Sequence, residues 1–482
     1  TLSSSSAASD VYKRQLHNSV GDDNFDIGHL FGATGGGGNA RCIGCICTND
    51  LSVDGNGYPT SYKGSAYTSP ADGKPFGDVF NVDYVTHEIG HQLGATHTFS
   101  HQLESYVSNI EPGSGSTLMG YAGITSADVQ KKTDPYFHGF SISQIQNNLI
   151  AKTCDVETAI ANSPPVISAM PDYTVPRSTA FVLTANATDA ENDPLTYTWE
   201  QVDDAASPII TTTGNNVTGA LFRSLPPVSN PARYFPKFSL VMGGILTSEN
   251  DWESVSNVAR TSNYRVTVRD NHPVKEQQQT SFANQKIAVG SDGPFKINIV
   301  SGENIYGGAA TKLTWEVANT NAAPYNVANV KISYTVDNGD TWTDLEASTP
   351  NDGSETVVVP VSLVGQSNLQ FRVEALGNVF YAVSPKANVV LESSCIATVP
   401  QNIKISNINY TGATVSWEAI PAINSYFFEY KKADDPAFSV MEVKTNSVTL
   451  TNLEPGKTYA FRVKSSCSCL LYTSPSPRDV EE

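Results

Sequence analysis

The sequence predicts a multidomain chain in which a mixed α/β (α+β) domain comes first and three all-β sandwich domains follow. Three observations predict it. The 482 residues exceed what one core ordinarily organises, at roughly 100–200 residues per domain. Helical periodicity is confined to the residues before Asn162-Ser163-Pro164-Pro165. Beyond that Pro-Pro step, alternating runs such as Phe181–Ala185, Leu195–Trp199 and Tyr264–Val268 are punctuated by Pro, Gly, Asn and Asp, the pattern of half-buried strands joined by turns.

Composition narrows the function classes. Lys and Arg number 30 against 48 Asp and Glu, a formal charge of -18 that repels nucleic acid and acidic membrane faces alike. No run of eighteen apolar residues occurs, so no membrane span is expected. Charged residues make up 16%, with abundant Ser, Thr, Asn, Gly and Tyr, a balance that suits an exported β-rich protein. Cys42, Cys45, Cys47 and Cys154 fall in the first part, Cys395, Cys467 and Cys469 near the end, a layout suited to local disulfides in an oxidising compartment. The first residues lack the charged and apolar regions of an export signal. VYKRQ at 11–15 and LLYTSPSPRD at 470–479 look foreign to what they adjoin, so the chain is read as a fragment with a non-native tail over 468–482.

Taken in order, residues 1–160 form the first domain. A helix is predicted over about 79–93, with Val82, Ile89 and Leu93 on one face, and a second from Ser141 to Thr153, with Ser141 as N-cap and Ile142, Ile145 and Leu149 at helical spacing. The sandwiches are expected over 164–290 (Ig-like), 293–391 and 395–467. The last carries Trp417, the run Tyr426-Phe427-Phe428-Glu429-Tyr430, and Leu453-Glu454-Pro455-Gly456-Lys457-Thr458-Tyr459 before Phe461-Arg462-Val463. In that order they resemble a fibronectin type III domain, whose ends one Cys395–Cys467 disulfide can close.

The chemistry concentrates in residues 87–97, His-Glu-Ile-Gly-His-Gln-Leu-Gly-Ala-Thr-His. His87 and His91, at i and i+4, project from one helix face at the separation that two ligands of a tetrahedral Zn²⁺ require. Glu88 stands one residue further round, free to face a metal-activated water without ligating the metal. Gly94 lets the chain leave the helix through a left-handed turn, so that His97 swings back as third ligand. Three of the eight histidines are spent here.

This stretch resembles the metzincin zinc endopeptidases, whose second signature is a turn carrying a methionine beneath the metal; Ser116-Thr117-Leu118-Met119-Gly120-Tyr121 meets that description. Asp26-Ile27-Gly28-His29, Asp83-Tyr84-Val85-Thr86 and the run from Glu111 to Tyr121 bring the likeness closest to secreted bacterial reprolysin-like peptidases. The resemblance implies one catalytic zinc on His87, His91 and His97, Glu88 as general base, Met119 and Gly94 as structural support, and protein or peptide substrates. It also implies a catalytic domain lacking its N-terminal part, since only about eighty residues precede His87.

Tyr121 is a further catalytic candidate, its phenol directed at the metal or the tetrahedral intermediate; a packed aromatic is the alternative. His101 is expected to be solvated, His29 and His138 to be structural, the latter capping or packing near the second helix. Cys42, Cys45 and Cys47 read as disulfides among themselves and to Cys154, with a thiolate metal cluster as the competing reading. Asp189, Glu191, Asp193 and Asp270 make a candidate Ca²⁺ site at a sandwich end. The glycines at 35–38 lack the context of a phosphate loop and are expected to pass close to a substrate cleft, with an extended substrate along an edge strand near 35–41 and residues 122–135 walling the leaving-group side. The sandwiches are expected to bind a matrix or cell-surface ligand and to be dispensable for chemistry. A surface adhesin with a vestigial peptidase part is the competing function.

Overall fold

The computed structural model describes residue 12 and residues 15–53, 59–391, 399–420 and 425–465. The expected Cys395–Cys467 bridge and the tail over 468–482 lie outside these residues. Among the described residues no helix is long and apolar enough to cross a membrane.

The chain is multidomain, a mixed helix and strand domain followed by many-stranded β-sandwiches. In the first domain, strands β1 (His29–Phe31), β2 (Gly37–Asn39) and β3 (Ala66–Ser69) form a sheet in the order β1-β3-β2, with β1 parallel and β2 antiparallel to β3. β2 is therefore an edge strand. A π-helical segment, Val79–Thr86, runs straight into helix α1, His87–Leu93, over the span the periodicity predicts. The predicted apolar face is not what the helix buries, however. Val82, Ile89 and Leu93 stay half-exposed, whereas His87, Glu88, His91 and Gln92 are buried. Polar groups go inside only where partners await them: the Gln92 amide donates to Gly28 O at 3.1 Å and Lys63 O at 3.2 Å, anchoring α1 to the loops around the sheet.

Helix α2, Gly139–Ile150, begins two residues before the predicted cap. His138 is the N-cap, its Nδ1 accepting the Phe140 N–H, and Ser141 lies buried in the first turn. The capping role expected of His138 displaces the one expected of Ser141. Between the helices the chain is irregular yet buried throughout 108–120. Buried loop backbone must find partners. Thr98 N–H donates to Met119 O, Glu111 N–H to Thr98 O, and Leu118 N–H to Tyr136 O. The buried Glu111 carboxylate accepts from Thr98 Oγ1 at 2.6 Å, Ser116 N at 2.9 Å, Thr117 N and Thr117 Oγ1.

In the sandwiches, Leu195–Gln201, Arg260–Asp270, Thr280–Val289 and Tyr173–Val175 make one four-stranded sheet. The facing sheet has six strands and is drawn from both sides of residue 290: Ala232–Phe235 and Ala180–Thr184 continue through Phe380–Val383 into Gln370–Ala375, Asn329–Thr335 and Thr343–Pro350. The blocks expected as separate at 164–290 and 293–391 thus share a sheet. They also share a core in which Phe181, Trp199, Phe235, Trp315 and Phe371 belong to one cluster; pairing Phe181 with Phe380 covers two edges that separate sandwiches would leave open. Residues 404–465 form two three-stranded sheets around Trp417, Tyr426, Phe428 and Val463. There the Tyr459 hydroxyl accepts the Glu454 N–H at 2.9 Å, closing the tyrosine corner.

The first domain and the first sandwich meet through buried polar groups. Gly139 N–H donates to Glu200 Oε2 at 2.7 Å, Tyr136 and Ser224 hydroxyls lie 2.8 Å apart, and Arg265 Nη1 donates to Gly139 O at 3.0 Å. Ile209 N–H donates to Ser100 O, and Gly113 N–H donates to Ile209 O. Ala127, Val129 and Trp252 add an apolar contact.

Candidate metal centre

α1 supplies His87, Glu88 and His91, and the segment after it supplies His97. Gly94 ends the helix at φ 120°, a conformation that side chains with a Cβ rarely adopt. A Cβ there would also lie 2.8 Å from Asn148 Cβ of α2, so both the turn and the close approach of α2 require glycine. The exit brings three imidazoles together. Nε2 of His91 lies 3.2 Å from that of His87 and 3.0 Å from that of His97, and His97 and His87 are 3.2 Å apart.

Each opposite ring nitrogen has an acceptor. His87 Nδ1 donates to Leu118 O at 2.7 Å, His91 Nδ1 to Ala95 O at 2.8 Å, and His97 Nδ1 to both Glu104 carboxylate oxygens at 3.0 Å. With the protons on Nδ1, three Nε2 lone pairs converge on one volume, a mutually repulsive arrangement that a cation relieves. Burial, followed by the charge of the neighbouring imidazoles, pushes His87, His91 and His97 down to about 3, so all three are neutral at neutral pH. The donor set fits Zn²⁺: nitrogen ligands at about 2.0–2.1 Å in tetrahedral array stand roughly 3.3 Å apart, and three protein ligands leave a fourth position open. Among the described residues the other three-donor group, Asp26, Cys47 and Cys154, is closed by the disulfide between its two cysteines.

Glu88 is buried beside this trio, facing β2. Its carboxylate accepts the Ala40 N–H, and burial pushes it up to about 8. A Cβ on Gly38 would fall 2.2 Å from Glu88 Oε1, so the glycine of β2 makes room for the carboxylate. Met119 is fully buried beneath α1, where a Cβ on Gly90 would meet its Sδ at 2.6 Å. The Tyr121 ring lies 4.6 Å from His97, 5.7 Å from His87 and 4.5 Å from Phe99. Burial, then Glu104 and Glu88, pushes its phenol up to about 12, keeping it protonated.

Two hollows open on the trio. One of about 410 Å³ is lined by Gly38 and Asn39 of β2 together with Glu88, His91, His97 and Tyr121. The other, of about 490 Å³, lies against His87 and Tyr121 and is walled by Ala122, Gly123, Ile124 and Thr133. These are the places where an edge strand and a downstream wall are expected.

Other expectations fare differently. His29 is structural, its ring held by Gln92 at 3.0 Å and Thr68 at 2.8 Å. His101 is not solvated but half-buried, 4.6 Å from the Phe99 ring, because the chain runs back over Phe99. Disulfides join Cys42 to Cys45 and Cys47 to Cys154, which removes the thiolate-cluster reading. The calcium reading finds no support. Asp189 Oδ1 accepts the N–H groups of Glu191 and Asp193, Asp270 is bound by Asn162 and Gln279, and the described residues do not gather these carboxylates into a three-donor cluster. Sequence reasoning missed Glu104 and the role of Gly38. Neither stands at a recognisable spacing from the histidines, and only the backbone path brings them in.

Residues 2–151 match the family model described as metallo-peptidase family M12B, reprolysin-like, and residues 398–475 match the fibronectin type III domain. The N-terminal part is a reprolysin-like metallopeptidase domain. Metallopeptidases of this family use zinc, and the histidine trio lies within the matched residues. The chain is 30% identical over 115 residues to ephrin type-A receptor 3 of Danio rerio, covering 22% of this chain and 12% of that receptor's length. Among solved structures, the chicken CNTN1 FN1-FN3 domains are 15% identical, over 63% of this chain and 93% of theirs, with a TM-score of 0.19. A computationally redesigned β-sandwich protein is 34% identical over 14% of this chain and 79% of its own, with a TM-score of 0.14. Both structural likenesses are too slight to bear on the peptidase domain.

Proposed function

We propose that the protein is a secreted or cell-surface zinc endopeptidase of the bacterial reprolysin-like type, hydrolysing peptide bonds in protein or peptide substrates. The convergence of three Nε2 lone pairs beside a buried carboxylate, at the floor of a cleft with an edge strand on its rim, carries this reading. His87, His91 and His97 are the ligands. Zinc bound there supplies a Lewis acid that polarises the scissile carbonyl and acidifies water. Glu88 takes the proton of the attacking water and returns it to the leaving amine. The substrate main chain pairs antiparallel with β2, whose outer hydrogen-bonding edge is unoccupied by any other strand of its sheet. Residues 122–135 flank the leaving-group side, and the protonated Tyr121 phenol donates to the developing oxyanion.

The proposed limits are 1–160 for the peptidase domain and 395–467 for the last sandwich, with 164–290 and 293–391 as two blocks joined through one six-stranded sheet, and a matrix or cell-surface ligand is the partner of the sandwiches. The adhesin reading is not favoured: the convergence of His87, His91 and His97 with Glu88 buried beside them supports hydrolysis instead.

Purified protein should contain one zinc per chain by elemental analysis, and His91→Ala should abolish it. Gelatin zymography should show cleavage that a chelator removes and zinc restores. Glu88→Gln should keep the zinc while kcat falls about 10²–10⁴-fold, because the amide preserves shape but accepts no proton. Zinc-loaded wild-type protein without peptidase activity would overturn the proposal.

A further inference from the structure

The first sandwich contributes a residue whose only route to the metal centre is through other side chains. Asp204 lies just past the strand Leu195–Gln201, and its Oδ1 accepts both the main-chain N–H of Asn109, at 2.9 Å, and the Asn109 side-chain Nδ2, at 3.1 Å. The next residue, Ala205, donates its N–H to Asn109 O at 3.0 Å. Asn109 is thereby gripped at its main chain and its side chain from the sandwich. Its amide in turn clasps Glu104: Glu104 N–H donates to Asn109 Oδ1 at 2.8 Å, and Asn109 Nδ2 donates to Glu104 O at 3.1 Å. The two Nδ2 hydrogens are divided between Glu104 and Asp204, so a flipped amide would set Nδ2 against the Glu104 N–H and lose all three bonds of the Asn109 side chain. Glu104 then holds His97 Nδ1 through both carboxylate oxygens at 3.0 Å.

Residues 102–107 need such a support. Five of the six are exposed, Glu104 being the exception, and Val107 is held at φ 55°, a costly conformation for a β-branched residue. Nothing in this excursion supplies a core that would fix Glu104. His87 and His91, by contrast, are oriented by main-chain carbonyls of the peptidase domain itself, Leu118 O and Ala95 O. His97 alone among the three depends on a carboxylate carried by a loop.

We propose that Asp204 of the first β-sandwich is a positioning residue for the third metal ligand, acting through Asn109 and Glu104 to fix the His97 imidazole. This rests on the zinc-peptidase reading. It also replaces the expectation that the sandwiches are dispensable for chemistry, since one of them completes the ligand's support.

The test uses the full chain and reads zinc affinity by competition with a chromophoric chelator. Groups that orient metal ligands typically contribute 10–100-fold in affinity. Glu104→Ala should weaken zinc by that factor, and Asp204→Ala by about tenfold. Asp204→Asn, which keeps an acceptor oxygen, should stay within about twofold of wild type. The Glu104→Ala/Asp204→Ala double variant should be no weaker than Glu104→Ala alone, because both changes cut one chain of contacts. Arg265→Ala, which removes interdomain bonds to Gly139 O and Ser143 Oγ and none of the bonds in this chain of contacts, should lower the melting temperature and leave zinc affinity unchanged. Unaltered affinity in Asp204→Ala, additive losses in the double variant, or equal losses in Arg265→Ala would each overturn the proposal while leaving the peptidase reading intact. Wild-type protein that binds no zinc would overturn both.

Discussion

Burial sets the charge state of the candidate catalytic residues in opposite senses. The three imidazoles are pushed from about 6.5 down to about 3, and the Glu88 carboxyl from about 4.5 up to about 8. In the metal-free protein these shifts give stability a defined pH dependence. Unfolded imidazoles take up protons near pH 6.5 while folded ones resist down to about 3, so their contribution is intact above 6.5 and is lost as pH falls through that window. The folded Glu88 keeps its proton to about pH 8 while the unfolded one gives it up near 4.5, so its contribution is lost as pH rises through that window. Three imidazoles outweigh one carboxyl below pH 6.5, and only the carboxyl differs between 6.5 and 8. Thermal unfolding in chelator is expected to peak near pH 6.5, and Glu88→Gln should abolish the decline from 6.5 to 8. A wild-type profile that matches the variant there would mean that Glu88 is not held as a buried acid. Tyr121 invites a kinetic test: Tyr121→Phe should lower kcat with KM nearly unchanged if the phenol serves the transition state, whereas an unchanged kcat would return it to simple packing.

At the scale of elements, α1 and β2 are built around one another. A polar helix face is buried because Gly38 leaves space for Glu88, and Gly90 leaves space for Met119. Gly38 has an ordinary backbone conformation, so its substitution is a clean steric probe. Gly38→Ala is expected to drive the Glu88 carboxylate from its place, since the new methyl would fall 2.6 Å from Glu88 Cγ. Peptidase activity should drop about 10²-fold or more with zinc stoichiometry unchanged; full activity with intact zinc would show that Glu88 tolerates displacement or does not act as the base. Glu111 plays a comparable part behind the site. By taking donors from Thr98, Ser116 and Thr117, it joins the residue after His97 to the turn that carries Met119.

For the whole molecule, the contacts fall into two regimes. The peptidase domain and the first sandwich share main-chain hydrogen bonds and a buried Glu200 between His138, Gly139 and Ser224, and that sandwich shares a six-stranded sheet with the next block. Among the described residues, no hydrogen bond, ion pair or β-ladder joins 399–465 to the rest. A chain ended at residue 391 should therefore cleave short peptides and retain zinc like the full chain, losing only what tethering to polymeric substrates adds. A chain ended at residue 160 should bind zinc more weakly and unfold at a lower temperature, because Glu200, Ile209 and Asp204 leave their partners unpaired. Chelator competition and thermal scans of the two truncations would decide it, and equal behaviour would refute this division.

The sequence by itself determined the local chemistry. His87, His91 and His97 at their spacing, Gly94 at the exit and Met119 in its turn are legible because one helix turn, one left-handed residue and one short loop translate directly into neighbouring atoms. Trp417 and the Tyr459 corner are legible in the same way, since alternation along a strand dictates which side chains enter a sandwich core. The half-exposure of Val82, Ile89 and Leu93 was not legible, because burial depends on what packs against a helix and here the polar face met the sheet. Nor were the start of α2 at His138, the merging of two sandwich blocks through Phe181 and Phe380, or the line from Asp204 to His97. Tertiary structure alone decided these, for a physical reason: each joins groups from distant segments, and their encounter depends on the path of the intervening chain rather than on any periodicity within it.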